Sequence, residues 1–113
     1  MGDGGADLYL SRILDGRYQP PENLGDAINT AEGEDAPHLS PDGRTLLFSR
    51  NMDIFVSFRT AAGQWTEARE VAAVNTPGME TLPVLSPEGS FLFFVRDWRP
   101  YWVEAAVLRE PPA

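Results

Sequence analysis

The stretch from residue 36 to residue 58 reads APHLSPDGRTLLFSRNMDIFVSF. A short run ends at the turn 41–43, and two further runs of strand-forming residues follow it. At such a turn proline fixes φ, aspartate accepts a hydrogen bond from the backbone ahead, and glycine tolerates positive φ. In the last run Ile54, Val56 and Phe58 alternate with Phe55 and Ser57, which places the two sets on opposite faces of a strand. The stretch therefore predicts antiparallel strands.

The same pattern returns 46 positions later, where residues 83–104 read PVLSPEGSFLFFVRDWRPYWVE. Identities at this spacing extend far outside the turn, and they include the pairs Asp7/Asp53, Asn29/Asn75, Thr30/Thr76, Glu34/Glu80, Ser40/Ser86, Gly43/Gly89, Leu46/Leu92, Phe48/Phe94 and Arg50/Arg96. A period in the forties with strand-like units is typical of β-propeller blades. The sequence therefore predicts an all-β fold built from four-stranded antiparallel blades.

The repeat also predicts how the chain divides. All 113 residues form a single repeat domain, with a partial blade over 1–35, a full blade over 36–79 and a partial blade over 80–110. In the full blade the inner strand is expected at 36–40 and the outermost strand at 65–71. The last strand is expected to pair weakly, because Pro100 lacks an N–H donor. The result is an incomplete propeller.

Composition excludes several classes of function. Nine Lys and Arg against seventeen Asp and Glu give a net charge of −8, which repels phosphate backbones and disfavours nucleic-acid binding. There is no cysteine, so disulfides and thiolate metal sites are excluded. No run is apolar enough for membrane insertion, and the first seven residues lack the basic and apolar regions of a signal peptide.

The repeat unit resembles the WD-like β-propeller repeat of TolB-type proteins. The residues that carry the resemblance are the segments 40–49 and 53–57, the second copy at 85–89 and 91–94, the segment 21–30 and the terminal 101–103. The resemblance implies a piece of a larger propeller that closes six or more blades. It also implies a periplasmic or cell-envelope location for the full-length protein and binding rather than catalysis.

Acidic residues precede both inner strands at equivalent places of the repeat. Glu34, Asp35 and Glu80 would line one mouth of a propeller channel, with His38 on the inner strand behind them. Such a mouth can bind a cation, a basic partner or a polyhydroxyl ligand. The plainer interpretation is that acidic residues keep a loop solvated and protect a sheet edge. We take these four residues as the candidate ligand-binding positions.

Catalysis is not expected. His38 is the only histidine, and a relay through Ser40 would also need a carboxylate behind the ring. Ser40 belongs to a turn motif that recurs at Ser86 without a histidine, which favours a structural role. Arg50 and Arg96 are expected to pack their stems on the blade and to pair with nearby carboxylates such as Asp53 or Asp97.

The sequence thus favours a non-enzymatic repeat module that binds a protein or carbohydrate partner and uses no cofactor. Self-association through open blade edges is a further expectation. The unrepeated segment 98–102, rich in aromatic residues, could stack on a ligand or pack in an interface. The alternative is the propeller part of a peptidase, hydrolase or polysaccharide lyase whose catalytic parts lie elsewhere.

Overall fold

The computed structural model describes residues 6–109, which form an all-β structure of several small antiparallel sheets, none of them closed. The elements are β1 (Tyr9–Leu10), β2 (Ile13–Leu14), β3 (Arg17–Tyr18), β4 (Glu22–Asn23), β5 (Glu34–Leu39), β6 (Thr45–Arg50), β7 (Asp53–Phe58), β8 (Arg69–Glu70), β9 (Glu80–Leu85), β10 (Phe91–Arg96), β11 (Arg99–Glu104) and a short 3₁₀ helix (Ala105–Arg109). Within this range no helix is long and apolar enough to span a membrane.

The largest sheet has four strands in the order β5-β6-β7-β8. Its first strand begins at Glu34, two residues before the predicted start, and a bulge then places Ala36 at a φ of 50°. The outermost strand is much shorter than the predicted 65–71. Only Arg69–Glu70 pairs with β7 as a strand, and Trp65 makes an isolated bridge to Arg59. The segment between them is irregular because Ser57 and Phe58 bond to Thr66 in place of a regular ladder.

The second sheet has three strands in the order β11-β10-β9. The prediction that Pro100 weakens the last strand is wrong, since all six residues of β11 pair in register with β10 and Pro100 stands opposite Val95. An edge strand tolerates proline because a missing N–H on its outer side removes no ladder bond. The remaining strands form two short pairs near the N-terminus, β1 with β4 and β2 with β3.

Two apolar clusters hold these pieces together. One lies between the four-stranded and the three-stranded sheet; its buried members are Leu47, Ile54, Val56, Val71, Val74, Leu85, Leu92, Phe94 and Leu108. The other lies between the four-stranded sheet and the N-terminal strand pairs, with Leu8, Ile28, Leu46 and Phe48 buried. The alternation predicted for β7 is confirmed, because Ile54 and Val56 belong to the first cluster while Phe55 packs on the second. The four-stranded sheet is therefore covered by a different apolar cluster on each of its two faces.

The turn after β5 follows the predicted chemistry. The Gly43 N–H donates to the Ser40 carbonyl at 2.8 Å, and Gly43 has a φ of 76°. Its counterpart Gly89 donates to Ser86 at 2.9 Å with a φ of 83°. No atom lies within 4 Å of a Cβ added at either glycine, so the positive φ alone requires glycine there.

We expect Gly43→Val to lower the free energy of unfolding by about 1–2 kcal/mol, because a β-branched residue is strained in the left-handed region. Gly43→Asn should cost less, since asparagine tolerates that region. Gly33→Ala is the control, because its added Cβ meets only the Ala6 nitrogen at 3.6 Å. Urea unfolding of the three variants checks this. Equal stabilities for Gly43→Val and Gly43→Asn would contradict the turn assignment.

Candidate functional site

Glu34 lies at the centre of a buried polar network at the start of β5. Its side chain is fully buried, and its Oε2 accepts from Arg50 Nε at 2.9 Å and from Thr30 Oγ1 at 2.7 Å. Its Oε1 accepts from the Thr30 N–H at 3.2 Å. Arg50 also donates from Nη2 to the Ile28 carbonyl at 2.7 Å. We call this set of contacts the carboxylate–arginine clamp.

The clamp recurs 46 residues later with the same atoms. Glu80 Oε2 accepts from Arg96 Nε at 2.9 Å and from Thr76 Oγ1 at 2.5 Å, and its Oε1 accepts from the Thr76 N–H at 2.9 Å. Arg96 Nη2 donates to the Val74 carbonyl at 2.7 Å. Both arginines therefore pair with a carboxylate that lies 16 residues earlier in the sequence. The predicted partners Asp53 and Asp97 are wrong: Arg50 stands opposite both Glu34 and Asp53 in the sheet, and the ion pairs are Arg50 with Glu34 and Arg96 with Glu80.

Two aromatic rings lie against the guanidinium of each arginine. The Arg50 guanidinium carbon lies 4.4 Å from the Phe55 ring centroid and 5.5 Å from that of Phe48. Arg96 lies 4.8 Å from Tyr101 and 5.4 Å from Phe94. Cation–π attraction strengthens as water is removed, so the rings hold the guanidinium on its carboxylate.

An asparagine precedes each clamp and ties neighbouring units together. Asn29 Oδ1 accepts from the Leu8 N–H at 2.8 Å, and its Nδ2 donates to the Leu8 carbonyl at 2.9 Å. Asn75 makes the same two bonds with Ile54, at 2.8 and 3.0 Å. The recurring residues Asn, Thr, Glu and Arg thus form one connected structural device.

The four predicted binding residues are not brought together. Glu34 and Glu80 occupy separate clamps, where both carboxylates are buried and bonded to neighbouring groups. Asp35, by contrast, is exposed on β5. His38 is half-buried further along the strand, and burial lowers its pKa. Its Nε2 has no hydrogen-bond partner among the residues that the structure describes. Of the four, Asp35 presents its carboxylate to solvent.

Ser40 does not form a relay with His38. Its hydroxyl donates to Asp42 Oδ1 at 2.6 Å and accepts from the Thr45 N–H at 3.0 Å, which closes the turn. The Ser40 hydrogen bond, aided by the Arg44 N–H, lowers the pKa of Asp42. A hydrogen bond from Ser86 likewise lowers the pKa of Glu88 in the second turn. These contacts agree with the predicted structural role of Ser40 and Ser86 in the two turns.

A cleft of about 660 Å³ opens between the two larger sheets where Asp35 lies. We call it the hairpin-end cleft; it is lined by Gly33, Asp35, Ala36, Ser49, Asn51, Met52, Met79, Thr81, Leu82 and Trp98. Ser49 Oγ and Thr81 Oγ1 lie 2.9 Å apart and join the two sheets at the cleft. Within residues 6–109, no group of three His, Asp or Glu side chains is placed to hold a metal ion.

Four apolar residues around this cleft have positive φ. Ala36 and Leu82 are equivalent bulge positions at 50° and 52°, and Met52 and Trp98 are equivalent hairpin-turn positions at 63° and 70°. The sequence did not point to Met52 or Leu82, and Trp98 was assigned to a segment outside the repeat. The signal available was their common spacing of 46 residues, which was hidden because Met52 differs from Trp98 in residue type.

Comparison of the chain with protein-family models, with curated proteins and with solved structures found no match.

We expect Arg50→Met to lower the free energy of unfolding by about 3–5 kcal/mol, because it leaves the buried Glu34 carboxylate without its ion-pair partner. Arg96→Met should cost less, since the Arg96 side chain is 26% exposed against 12% for Arg50 and water can replace part of its contact. The double variant Glu34→Met/Arg50→Met should recover part of the loss. Chemical unfolding of all three measures the order. A double variant less stable than Arg50→Met would contradict a clamp built around the ion pair.

The Asp42 turn predicts an acid-dependent loss of stability. Because the folded-state pKa lies below the usual 3.8, the contribution of Asp42 is present above pH 3.8 and is lost as the pH falls below it. Asp42→Asn keeps an acceptor for Ser40 but does not titrate. Its stability should therefore fall less than that of the unaltered protein on acidification. Unfolding midpoints across a pH series check this, and parallel pH profiles would refute it.

Proposed function

We propose that this chain is a non-enzymatic β-propeller repeat module of the TolB type that binds a protein partner at the hairpin-end cleft. In this proposal the sheets are blades, β5–β8 being a full one, and the clamps make them a rigid frame. The observation that carries the proposal is the exposure of large apolar side chains on left-handed turns at the cleft.

These turn positions are unfavourable places for apolar residues. Two-residue hairpin turns with positive φ favour Asn, Asp and Gly, yet Met52 and Trp98 stand there with 60% and 77% of their surfaces exposed. Neither residue gains burial that would offset the backbone strain. Strained positions that carry exposed apolar surface are typical of binding sites.

The charge of the cleft indicates the kind of partner. Asp35 is exposed beside the apolar residues, and the whole chain carries a net charge of −8. A partner segment that combines a basic side chain with apolar or aromatic neighbours would satisfy both features. Trp98 would supply the large, rigid contact area that commonly anchors such interfaces.

The frame explains how such a site can be presented without catalysis. Asp35 follows directly after Glu34, so the clamp fixes the start of β5 and with it the Asp35 side of the cleft. The second clamp does the same for Thr81 and Leu82 after Glu80. A rigid site loses little conformational entropy on binding, which favours affinity.

The test is selection of peptides from a random displayed library against the immobilised protein. We expect enriched peptides to combine basic and aromatic residues, and to lose at least about tenfold in affinity on Trp98→Ser, the loss of an interface anchor worth about 1.4 kcal/mol or more. Asp35→Asn should weaken peptide binding as well, and this difference from the unaltered protein should shrink as the salt concentration rises.

Tyr18→Ser is the matched control, because Tyr18 is 78% exposed but belongs to the N-terminal hairpin and not to the cleft. Peptide binding should be unchanged in that variant. Enriched peptides that bind Trp98→Ser as well as they bind the unaltered protein would place the site elsewhere. An oligosaccharide panel run in parallel separates the carbohydrate alternative from the protein one.

A further inference from the structure

The two faces of the repeated sheets differ in a regular way. On the face that includes Leu46 and Phe48, the four-stranded sheet packs on the N-terminal residues, and we call this the leading face. On the opposite, trailing face, Leu47 and Val56 pack on Leu92 of the three-stranded sheet. The trailing face of the four-stranded sheet thus meets the leading face of the next unit along the chain.

Within residues 6–109, nothing covers the trailing face of the three-stranded sheet in this way. Phe93 is 45% exposed where its repeat equivalent Leu47 is fully buried, and Trp102 is 61% exposed where Val56 is 1% exposed. Phe91 and Val84 lie on the same face, at 37% and 46% exposure. Phe91 and Trp102 contact edge to face at 5.3 Å, so the side chains form one continuous apolar surface.

At the N-terminal end of the chain, a leading face is left exposed. Tyr9 is 58% exposed, whereas its repeat equivalent Phe55 is partly buried on the leading face of the four-stranded sheet. Among the described residues, the N-terminal unit has only the counterparts of the third and fourth strands, and β11 has no fourth strand beside it. Ile13, Leu14 and Tyr18 extend the exposed apolar surface at this end.

The exposed apolar side chains are therefore concentrated at the two ends. Thirteen large ones are well exposed among residues 6–109, and eight of them lie at the two ends: Tyr9, Ile13, Leu14 and Tyr18 on the N-terminal strand pairs, and Val84, Phe91, Phe93 and Trp102 on the open trailing face. The charges at the two ends do not oppose the contact. The N-terminal strand pairs carry Arg12 and Arg17 against Asp15 and Glu22, with Arg12 paired to Glu22, and exposed Glu104 borders the open trailing face next to Phe91.

We propose that the open trailing face of the three-stranded sheet docks onto the N-terminal strand pairs of a second copy of this chain. The contact continues the packing that already joins consecutive units within the chain, and it is independent of any ligand at the hairpin-end cleft. A head-to-tail contact of this kind either closes into a ring or continues into a filament.

The experiment is light scattering after size-exclusion chromatography over a dilution series. The unaltered protein is expected at two or more times the 12.5 kDa of one chain. Phe93→Glu blocks the trailing face and Tyr9→Glu blocks the N-terminal face, so each variant alone should elute as a monomer. Mixed together they should form a dimer, because each retains the face that the other lacks.

Leu39→Glu is the control, since Leu39 is 41% exposed but belongs to the four-stranded sheet and lies on neither docking face, and it should assemble like the unaltered protein. Circular dichroism and thermal unfolding show whether each variant remains folded. The proposal is overturned if the unaltered protein is a monomer at every concentration. It is equally overturned if Phe93→Glu alone is monomeric while Tyr9→Glu still dimerises, because that result assigns a face-to-face contact between two trailing faces.

Discussion

A buried carboxylate needs a partner, and here the Glu34–Arg50 ion pair and its copy Glu80–Arg96 impose that requirement on the whole fold. Each pair joins the first residue of one strand to the last residue of the next, and the arginine also binds a carbonyl from the loop before the sheet. The clamp therefore fixes where a sheet begins, which loop leads into it and how far its second strand extends. The Asn29 and Asn75 contacts then connect each clamp to the preceding unit.

The rigid interior leaves the strained residues at the ends of the hairpins. Bulges at Ala36 and Leu82 follow directly on the clamped glutamates, and tight turns at Met52 and Trp98 face the same cleft. Strain of this kind persists only where the surrounding structure determines it, and the clamps supply that constraint. The clamped residues that stabilise the fold are thus neighbours in sequence of the proposed binding surface, but the two roles belong to different side chains.

The repeat has a direction, and that direction governs the surface of the molecule. Because a trailing face always meets a leading face, an array of such units ends in one open face of each kind. The large apolar residues Phe93, Trp102 and Tyr9 lie at these ends, while the equivalents within the array are covered. Repeat arrays commonly require such ends to be capped or occupied. In the proposed head-to-tail contact, the two open faces cover each other.

Sequence alone determined the strands, the turns and the spacing of the repeat, because alternation and turn chemistry are local properties that act within a few residues. It did not determine the pairing of Arg50. Sequence proximity favoured Asp53, and Asp53 does stand opposite Arg50, as Glu34 does on the other side. The packing of the preceding loop placed the guanidinium between Glu34 and the Ile28 carbonyl, and the two clamps removed both glutamates from the candidate binding site. The open trailing face and the cleft around Met52 and Trp98 were likewise decided by tertiary structure. Each depends on which sheet packs on which, and a pattern of period two cannot specify that.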